Sequence, residues 1–260
     1  MDATVEKGPN EGVRSVHNAL RILEELSKSQ PIGVSDLSRQ LELPKSSTFR
    51  SLQTLAQAGW VQPAKGEPPR WVLSTKVFTI GLAASVETTL RELAITEMTC
   101  IRDALGETVH LTVPDETNLV VIAHLDGTNS LRTFLALGTR APLHATAGGR
   151  AMLSAMGDAE VNRLLDQGIE AYTDRTTLDR DAIWAEITSA RERGYAINSA
   201  EWRTHIAAIA SPIVSRSGQV LAAISISMPM SRYQEIDHAE AGALTMASCR
   251  RIATELTDGY

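Results

Sequence analysis

Residues 34–60, VSDLSRQLELPKSSTFRSLQTLAQAGW, decide how the N-terminal part of the chain folds, because they contain two apolar periodicities separated by a short break. The first set recurs at spacings of three and four, as on one side of a helix, and consists of Val34, Leu37 and Leu41. Ser35 is expected to cap this helix, and residues 42 and 43 form a tight turn. Pro44 suits the first position of the next helix, since its missing N–H would have no partner there.

The helix that follows Pro44 is predicted to have two different faces. Its inner side is formed by Phe49, Leu52, Leu55 and Ala56. Its outer side carries Ser46, Arg50, Gln53 and Gln57. Ser, Arg and Gln side chains pair with base edges or phosphates, and the second helix of a helix-turn-helix enters the major groove of DNA. The pattern therefore predicts a face that contacts double-stranded DNA.

The sequence on either side of this unit predicts a winged helix. Residues 14–28 form a first helix, with apolar residues again spaced by three and four. Gly59 ends the third helix, and residues 60 and 61 begin a strand that returns at 70–73 after a turn at 65–69. This hairpin is the predicted wing.

The predicted DNA contacts lie on the third helix and on the wing. They are Lys45, Ser46, Ser47, Thr48, Arg50, Ser51, Gln53, Thr54, Lys65 and Arg70. Two alternatives stay open: a three-helix unit whose polar face is merely hydrated, and an adaptor whose winged helix binds a protein. The order of helix, turn, helix and hairpin, with cations on the third helix and wing, favours DNA.

The charge distribution is compatible with this interpretation. Residues 1–80 hold 10 Lys and Arg against 8 Asp and Glu, whereas residues 81–260 hold 15 against 23. The net charge of −6 therefore belongs to the C-terminal part. A chain of 260 residues suits two domains. No apolar run approaches the roughly 20 residues of a membrane-spanning helix, and the N-terminus lacks a secretory pattern, so we expect a cytoplasmic protein without membrane contacts.

Residues 75–105 are predicted to be helical, with a bend at Gly81 or at the Thr88–Thr89 pair. Apolar residues occupy more than one side of this stretch, which is typical of a helix that packs against a second copy of the chain. The alternative is a helix that packs only on its own domain.

The remaining sequence predicts an α+β domain with one antiparallel sheet. The expected strands cover residues 109–113, 119–123, 130–136, 195–198, 206–213 and 220–228. The expected helices cover residues 151–156, 159–165, 182–193 and 237–256. The predicted domains are a winged helix-turn-helix over 12–75, a linker helix over 76–90 and a second domain over 91–260.

Several ordered strings resemble the isocitrate-lyase-regulator (IclR) family of transcription factors. They are APLHATAGGRA at 141–151, RERGYAI at 191–197, IASPI at 209–213, AAISISMP at 222–229, and residues 44–59. The resemblance implies an α/β two-domain protein with an N-terminal winged helix-turn-helix, a linker helix and a C-terminal, GAF-like α+β effector-binding domain. It also implies a homodimer or homotetramer, with the tetramer favoured, and a small acidic or aromatic metabolite as effector.

The effector residues that the resemblance implies come from several strands and from one helix start. They are Thr133, Ala147, Gly148, Gly149, Asn198, Ile206, Ala208, Ser225 and Ser227. A helix start that contains glycine suits a carboxylate, and two serines that alternate on one strand face the same way. The serine pair could equally form the outward face of a half-buried strand.

Two positions depart from the family pattern. Asn198 stands where an acidic residue is common, and the change would make an anionic effector more tolerable. His205 stands where glycine is common and would lie near the mouth of the pocket. Alternatively, Asn198 only satisfies a turn and His205 lies on the surface.

An enzyme is the rival class, but no catalytic arrangement is present. The six histidines show no metal-binding spacing, and the chain lacks a GxSxG elbow and a GxxxxGK phosphate loop. Cys100 and Cys249 are expected to be buried thiols. We therefore expect no cofactor and no metal, and specific DNA retention at moderate salt would separate a regulator from an enzyme.

Overall fold

The computed structural model describes residues 13–64, 69–82 and 85–256. The chain forms two compact units, which meet in the sequence between Ser85 and Val86. In these ranges, no helix combines the length and the apolar character that crossing a membrane requires.

The N-terminal unit has the predicted order of helix-turn-helix and hairpin. Its elements are α1 (Arg14–Ser29), α2 (Val34–Gln40), α3 (Lys45–Gln57), β1 (Val61–Pro63), β2 (Trp71–Leu73) and α4 (Thr75–Leu82). β1 and β2 pair in antiparallel fashion, with Val61 opposite Leu73. Buried side chains of α1, α2 and α3, among them Ile22, Leu37 and Leu52, form its core.

The turn between α2 and α3 is fixed by polar contacts. The N–H of Leu43 donates to the carbonyl of Ser38 (3.0 Å), and the Ser38 hydroxyl donates to the carbonyl of Leu43 (2.7 Å). Arg21 of α1 donates from Nη2 to the carbonyl of Leu41 (2.9 Å). Glu42 has a φ of 53°, in the left-handed region. These bonds hold α3 at a set angle to α1 and α2.

Two predicted helix starts are wrong by one or two positions. Gly33, not Ser35, is the N-cap of α2, and no side chain caps that helix. Ser35 cannot cap because it already lies within the helix. Pro44 is the N-cap of α3 rather than its first residue.

The C-terminal unit contains the predicted antiparallel sheet. Its elements are α5 (Ser85–Leu105), β3 (Thr108–Asp115), β4 (Asn118–Leu125), β5 (Arg140–Pro142), α6 (Ala147–Ala155), α7 (Asp158–Leu165), α8 (Arg180–Arg193), β6 (Ala196–Ser199), β7 (Ile206–Val214), β8 (Val220–Pro229), α9 (Met230–Tyr233) and α10 (His238–Leu256). The strand order is β5-β4-β3-β8-β7-β6, and each neighbouring pair is antiparallel.

The sheet separates two apolar clusters because its side chains alternate between faces. On β8, Ile224 and Ile226 pack with α5 and α10, while Ala223 packs with α6, α7 and α8. Ser225 and Ser227 share the face of Ala223 by this alternation. The polar residues of the strand therefore face α6.

Three features of this unit differ from the sequence prediction. The strand expected at 130–136 is absent, and the chain there is irregular, with Leu131 and Phe134 exposed. The edge position beside β4 is occupied instead by β5, so residues 130–136 have no ladder to join. α6 begins at Ala147, four residues earlier than predicted. The Thr88–Thr89 pair lies inside α5, and residues 83 and 84 lie outside the described ranges.

Candidate nucleic-acid interface and ligand cavity

α3 presents an exposed polar face. Lys45, Ser46, Arg50, Gln53 and Thr54 are all exposed, as a DNA-contacting surface requires. Each carries a side-chain donor or acceptor for phosphates or base edges.

The sequence prediction places two residues of α3 on the wrong side. Thr48 is fully buried, and its hydroxyl donates to the carbonyl of Pro44 (3.2 Å), so it belongs to the core and not to a DNA surface. Phe49, predicted to be inside, is 44% exposed. Successive helical residues are about 100° apart, so burying Thr48 with Leu52 and Leu55 turns Phe49 toward the polar face. Ser47 and Ser51 are half-buried at the margins of that face.

Of the two cations predicted on the wing, Arg70 belongs to the described residues and Lys65 does not. Arg70 is exposed, and its Nη1 donates to the carbonyl of Pro31 (3.3 Å), which leaves other guanidinium donors available. Lys65 lies outside the described residues, together with the rest of 65–68.

A cavity of about 50 Å³ lies between the start of α6 and the sheet. A single water needs only roughly 10 to 15 Å³ by the same measure, so the space admits a small organic molecule. Seven of the predicted effector residues line it: Ala147, Gly148, Asn198, Ile206, Ala208, Ser225 and Ser227.

Two predicted effector residues do not line the cavity. Thr133 lies behind Ser227, and its Oγ1 donates a hydrogen bond to Ser227 Oγ (2.8 Å). Thr133 therefore orients the Ser227 hydroxyl and does not face the cavity itself. Gly149 is turned away from the cavity, because a Cβ there would overlap the backbone of Leu143. Its small size therefore serves the packing of α6 and not access to a ligand.

The start of α6 lines the cavity, and its first backbone N–H groups are not used by the helix itself. Thr146 caps the helix, since its hydroxyl accepts from the N–H of Gly149 (3.1 Å) and donates to the carbonyl of Pro142 (2.8 Å). The earlier N–H groups, of Ala147 and Gly148, have no acceptor within the helix. These groups and the helix dipole favour a negative charge at this end of the cavity.

Asn198 connects the cavity to a buried ion pair. Its Nδ2 donates to the carbonyl of Ala145 (2.8 Å) and lies 3.3 Å from Glu201 Oε1. Glu201 in turn accepts from Arg150 Nη1 (2.6 Å). Asn198 thus puts an uncharged amide in the cavity wall. His205 is exposed and does not line the cavity, so it lies on the surface and not at the mouth of the pocket.

Several residues of the cavity wall were not predicted from the sequence. They are His110, Thr112, Leu119, Leu135, Ala141, Thr146, Trp202 and Arg203. The alternation in residues 109–113 (VHLTV) carries the signal for the first two, because Val109 and Leu111 pack on α10 and the residues between them must face α6.

Burial controls the protonation of two groups. It lowers the pKa of His110 to about 4, with the neighbouring His124 acting in the same direction. It also raises the pKa of the Cys249 thiol to about 12. Cys100 is exposed, so the prediction of two buried thiols is wrong for that residue. Among the described side chains, no group of three or more His, Cys, Asp or Glu is placed to hold a metal ion.

Comparison with known proteins decides the family. The profile of the IclR helix-turn-helix domain matches residues 15–64, and that of the bacterial transcriptional regulator IclR C-terminal domain matches residues 83–254. The chain belongs to the IclR family. It is a transcriptional regulator with a helix-turn-helix DNA-binding domain and a C-terminal ligand-binding domain.

Relatives within this family match the whole chain. The HTH-type transcriptional regulator KdgR of Escherichia coli K12 is 32% identical over 261 residues, which cover 100% of this chain and 97% of that protein. The HTH-type transcriptional repressor AllR of the same strain is 32% identical over 247 residues, covering 94% of this chain and 91% of its own.

Solved structures of the family share the fold. The IclR of Thermotoga maritima superposes with a TM-score of 0.77 at 24% identity, covering 95% of this chain and 99% of that one. An IclR homolog from Microbacterium hydrocarbonoxydans, complexed with 4-hydroxybenzoate, gives a TM-score of 0.80 at 21% identity, with coverages of 94% and 100%.

Proposed function

We propose that this regulator binds a two-fold symmetric operator through α3 and its wing, and that a small acidic or aromatic metabolite in the C-terminal cavity changes this binding. The observation that carries the proposal is that the start of α6, whose first N–H groups have no partner within the helix, lines one small cavity together with Ser225 and Ser227.

DNA recognition is assigned to the exposed face of α3. Arg50 and Gln53 carry the donor groups that recognise guanine and adenine in the major groove. Lys45 and Ser46 at the helix start suit phosphate, because backbone N–H groups also point there. Phe49 adds an apolar contact beside Arg50, of the kind that thymine methyl groups accept.

Two substitutions separate base reading from phosphate anchoring. Arg50→Ala should weaken specific binding by about 1 to 3 kcal/mol and relax the sequence preference. Lys45→Ala should weaken binding to all duplexes alike and reduce its salt dependence. Electrophoretic mobility shifts at several salt concentrations measure both, and intact operator affinity in Arg50→Ala would mean that another surface reads the bases.

The effector is assigned to the cavity wall. A carboxylate fits the N–H groups of Ala147 and Gly148, and the uncharged Asn198 places no negative charge against it. The solved relative complexed with 4-hydroxybenzoate supports a small aromatic acid as one candidate.

A thermal-shift screen of organic acids, aromatic acids and lactones tests this assignment, because a ligand that binds only the native state raises the melting temperature. Ser225→Ala should weaken a bound acid by roughly 1 kcal/mol while leaving operator binding without effector unchanged. A wild-type shift that the variant shows in full would place the effector elsewhere.

We propose a dimer or a dimer of dimers, with residues 76–90 as the linker between the two domains, since two-fold proteins read two-fold sites. Repressors among the relatives support repression as the outcome. The relatives are named as regulators, which favours a cytoplasmic DNA-binding protein over an enzyme. Light scattering at micromolar concentration together with footprinting tests the assembly, and a monomer that protects one half-site would contradict it.

A further inference from the structure

The wall of the cavity opposite α6 contains a histidine without hydrogen bonds. His110 on β3 is fully buried, and neither Nδ1 nor Nε2 has a partner within the described part of the chain. Buried polar groups in folded proteins are almost always paired, so an orphaned ring that lines a cavity points to a ligand.

The strand register places other polar groups beside this ring. His110 lies directly opposite Ser225 on β8 and opposite His124 on β4. Directly opposed residues of antiparallel strands point to the same face, so the imidazole and the Ser225 hydroxyl form one polar spot in the cavity wall.

The imidazole at this spot is uncharged at neutral pH. Its burial lowers its pKa to about 4, and the titratable or charged side chains that act on it are His124, Asp126 and Arg203. A neutral imidazole carries one N–H donor and one acceptor nitrogen. It therefore matches a hydroxyl or a carbonyl group and offers no charge to a second carboxylate.

A ligand can reach both ends of the cavity at once. Gly148 lies against Thr112, since a Cβ on the glycine would stand 3.3 Å from Thr112 Oγ1. Thr112 follows His110 by two residues on β3, a distance of roughly 7 Å along the strand. The anion-binding start of α6 and the imidazole are therefore separated by about the length of a small bifunctional acid.

We propose that His110 is a specificity-determining residue, which selects an effector carrying a hydroxyl or carbonyl group at the end of the molecule away from its carboxylate. The carboxylate occupies the start of α6, and the second oxygen binds to His110 and Ser225. This inference rests on the proposed effector site and adds the chemical class that the site prefers.

Matched acid pairs that differ by one hydroxyl test the proposal. The probes are 4-hydroxybenzoate with benzoate, and 4-hydroxybutyrate with butyrate, titrated calorimetrically into the full chain. His110→Leu removes both nitrogens, His110→Asn keeps one donor and one acceptor, and His124→Leu is the control for the neighbouring ring outside the cavity.

For at least one pair, the wild type should bind the hydroxylated acid roughly ten-fold more tightly than the acid without the hydroxyl, because the latter leaves His110 without a hydrogen-bond partner. This preference should disappear in His110→Leu, with binding of the hydroxyl-free acid retained, and should persist in His124→Leu. Should His110→Leu fail to fold, ring ¹⁵N shifts of His110 in the wild type, assigned with His110→Asn, should respond to the hydroxylated acid alone.

Every other result contradicts either the role of His110 or the acid site on which it rests. Equal affinity of the wild type for both acids of each pair, a preference that His110→Leu retains, or unchanged ring ¹⁵N shifts would overturn the role of His110 while leaving the acid site intact. If neither acid of either pair binds to the wild type, the proposed acid site itself fails, and the inference fails with it.

Discussion

Arg150 and Glu201 form a buried, two-pronged ion pair beside the cavity, in which both guanidinium Nη atoms contact the two carboxylate oxygens. Arg150 is 2% exposed, and its Nε donates to the carbonyl of His144 (2.8 Å). Glu201 also accepts from Asn198 and from the N–H of Thr177. The pair therefore connects the start of α6, the end of β6 and the segment that precedes α8.

Breaking this pair should be costly. Arg150→Met leaves the Glu201 carboxylate buried without its partner, so we expect the free energy of unfolding of the C-terminal unit to fall by about 3 to 5 kcal/mol. Arg140→Met, which removes a more exposed pair with Asp115, should cost at most about 1 kcal/mol. Urea denaturation compares the two, and equal losses would refute the structural role of the buried pair.

The neighbouring glycines of α6 should respond differently to alanine. In Gly148→Ala the new Cβ would lie 3.1 Å from a Leu119 methyl group and would occupy part of the cavity, so effector affinity should fall about ten-fold with little loss of stability. In Gly149→Ala the Cβ meets the backbone of Leu143, which cannot yield, and unfolding should become easier by about 3 kcal/mol. Thermal unfolding with and without a bound acid measures both, and the reverse order would contradict the cavity geometry.

Phe49 should contribute to DNA binding and not to folding. Phe49→Ala should weaken operator binding by about 1 kcal/mol, because the exposed ring is expected to bury apolar surface against the bases. Leu20→Ala on α1 is the control, since that side chain is also exposed (52%) but lies on another helix. Fluorescence anisotropy with a labelled operator gives both affinities. Equal effects of the two changes would remove Phe49 from the interface.

Acid should destabilise the protein partly through His110. The pKa falls from 6.5 to about 4 on folding, so between these values the unfolded chain binds a proton that the folded chain does not. The contribution of His110 to the free energy of unfolding is therefore greatest above pH 6.5. Acidification to pH 5 should lower it by about 2 kcal/mol, out of a full loss of about 3 kcal/mol below pH 4. Urea denaturation of the wild type and His110→Asn at pH 7 and pH 5 checks this, and identical pH dependence in both would refute it.

The helix-turn-helix and most of the sheet follow from the sequence because each helix and strand carries its own periodicity. The face of α3 was harder to predict. Ser46, Arg50 and Gln53 fit either orientation, and only the packing of Thr48 into the core shows that Phe49 points outward. A buried threonine satisfied by its own helix backbone has no distinct signature in the sequence.

Only part of the cavity wall could be predicted from the sequence, for a related reason. Family resemblance led to seven of its residues, but His110 was not among them, since a sequence pattern cannot reveal whether a buried nitrogen has a partner. The strand expected at 130–136 failed because a sheet edge is a long-range property. β5 occupies that edge, and residues far apart in the sequence decide which segment pairs there.

The most direct test of DNA recognition by α3 is selection of duplexes from a random library by the full chain at moderate salt, followed by sequencing. Wild type should enrich one two-fold symmetric site, and Arg50→Ala should lose the preference at the base pairs that Arg50 contacts while Lys45→Ala keeps it. Selection of the same site with undiminished preference by Arg50→Ala, or no enriched site with the wild type, would contradict the assignment of α3 as the reading helix.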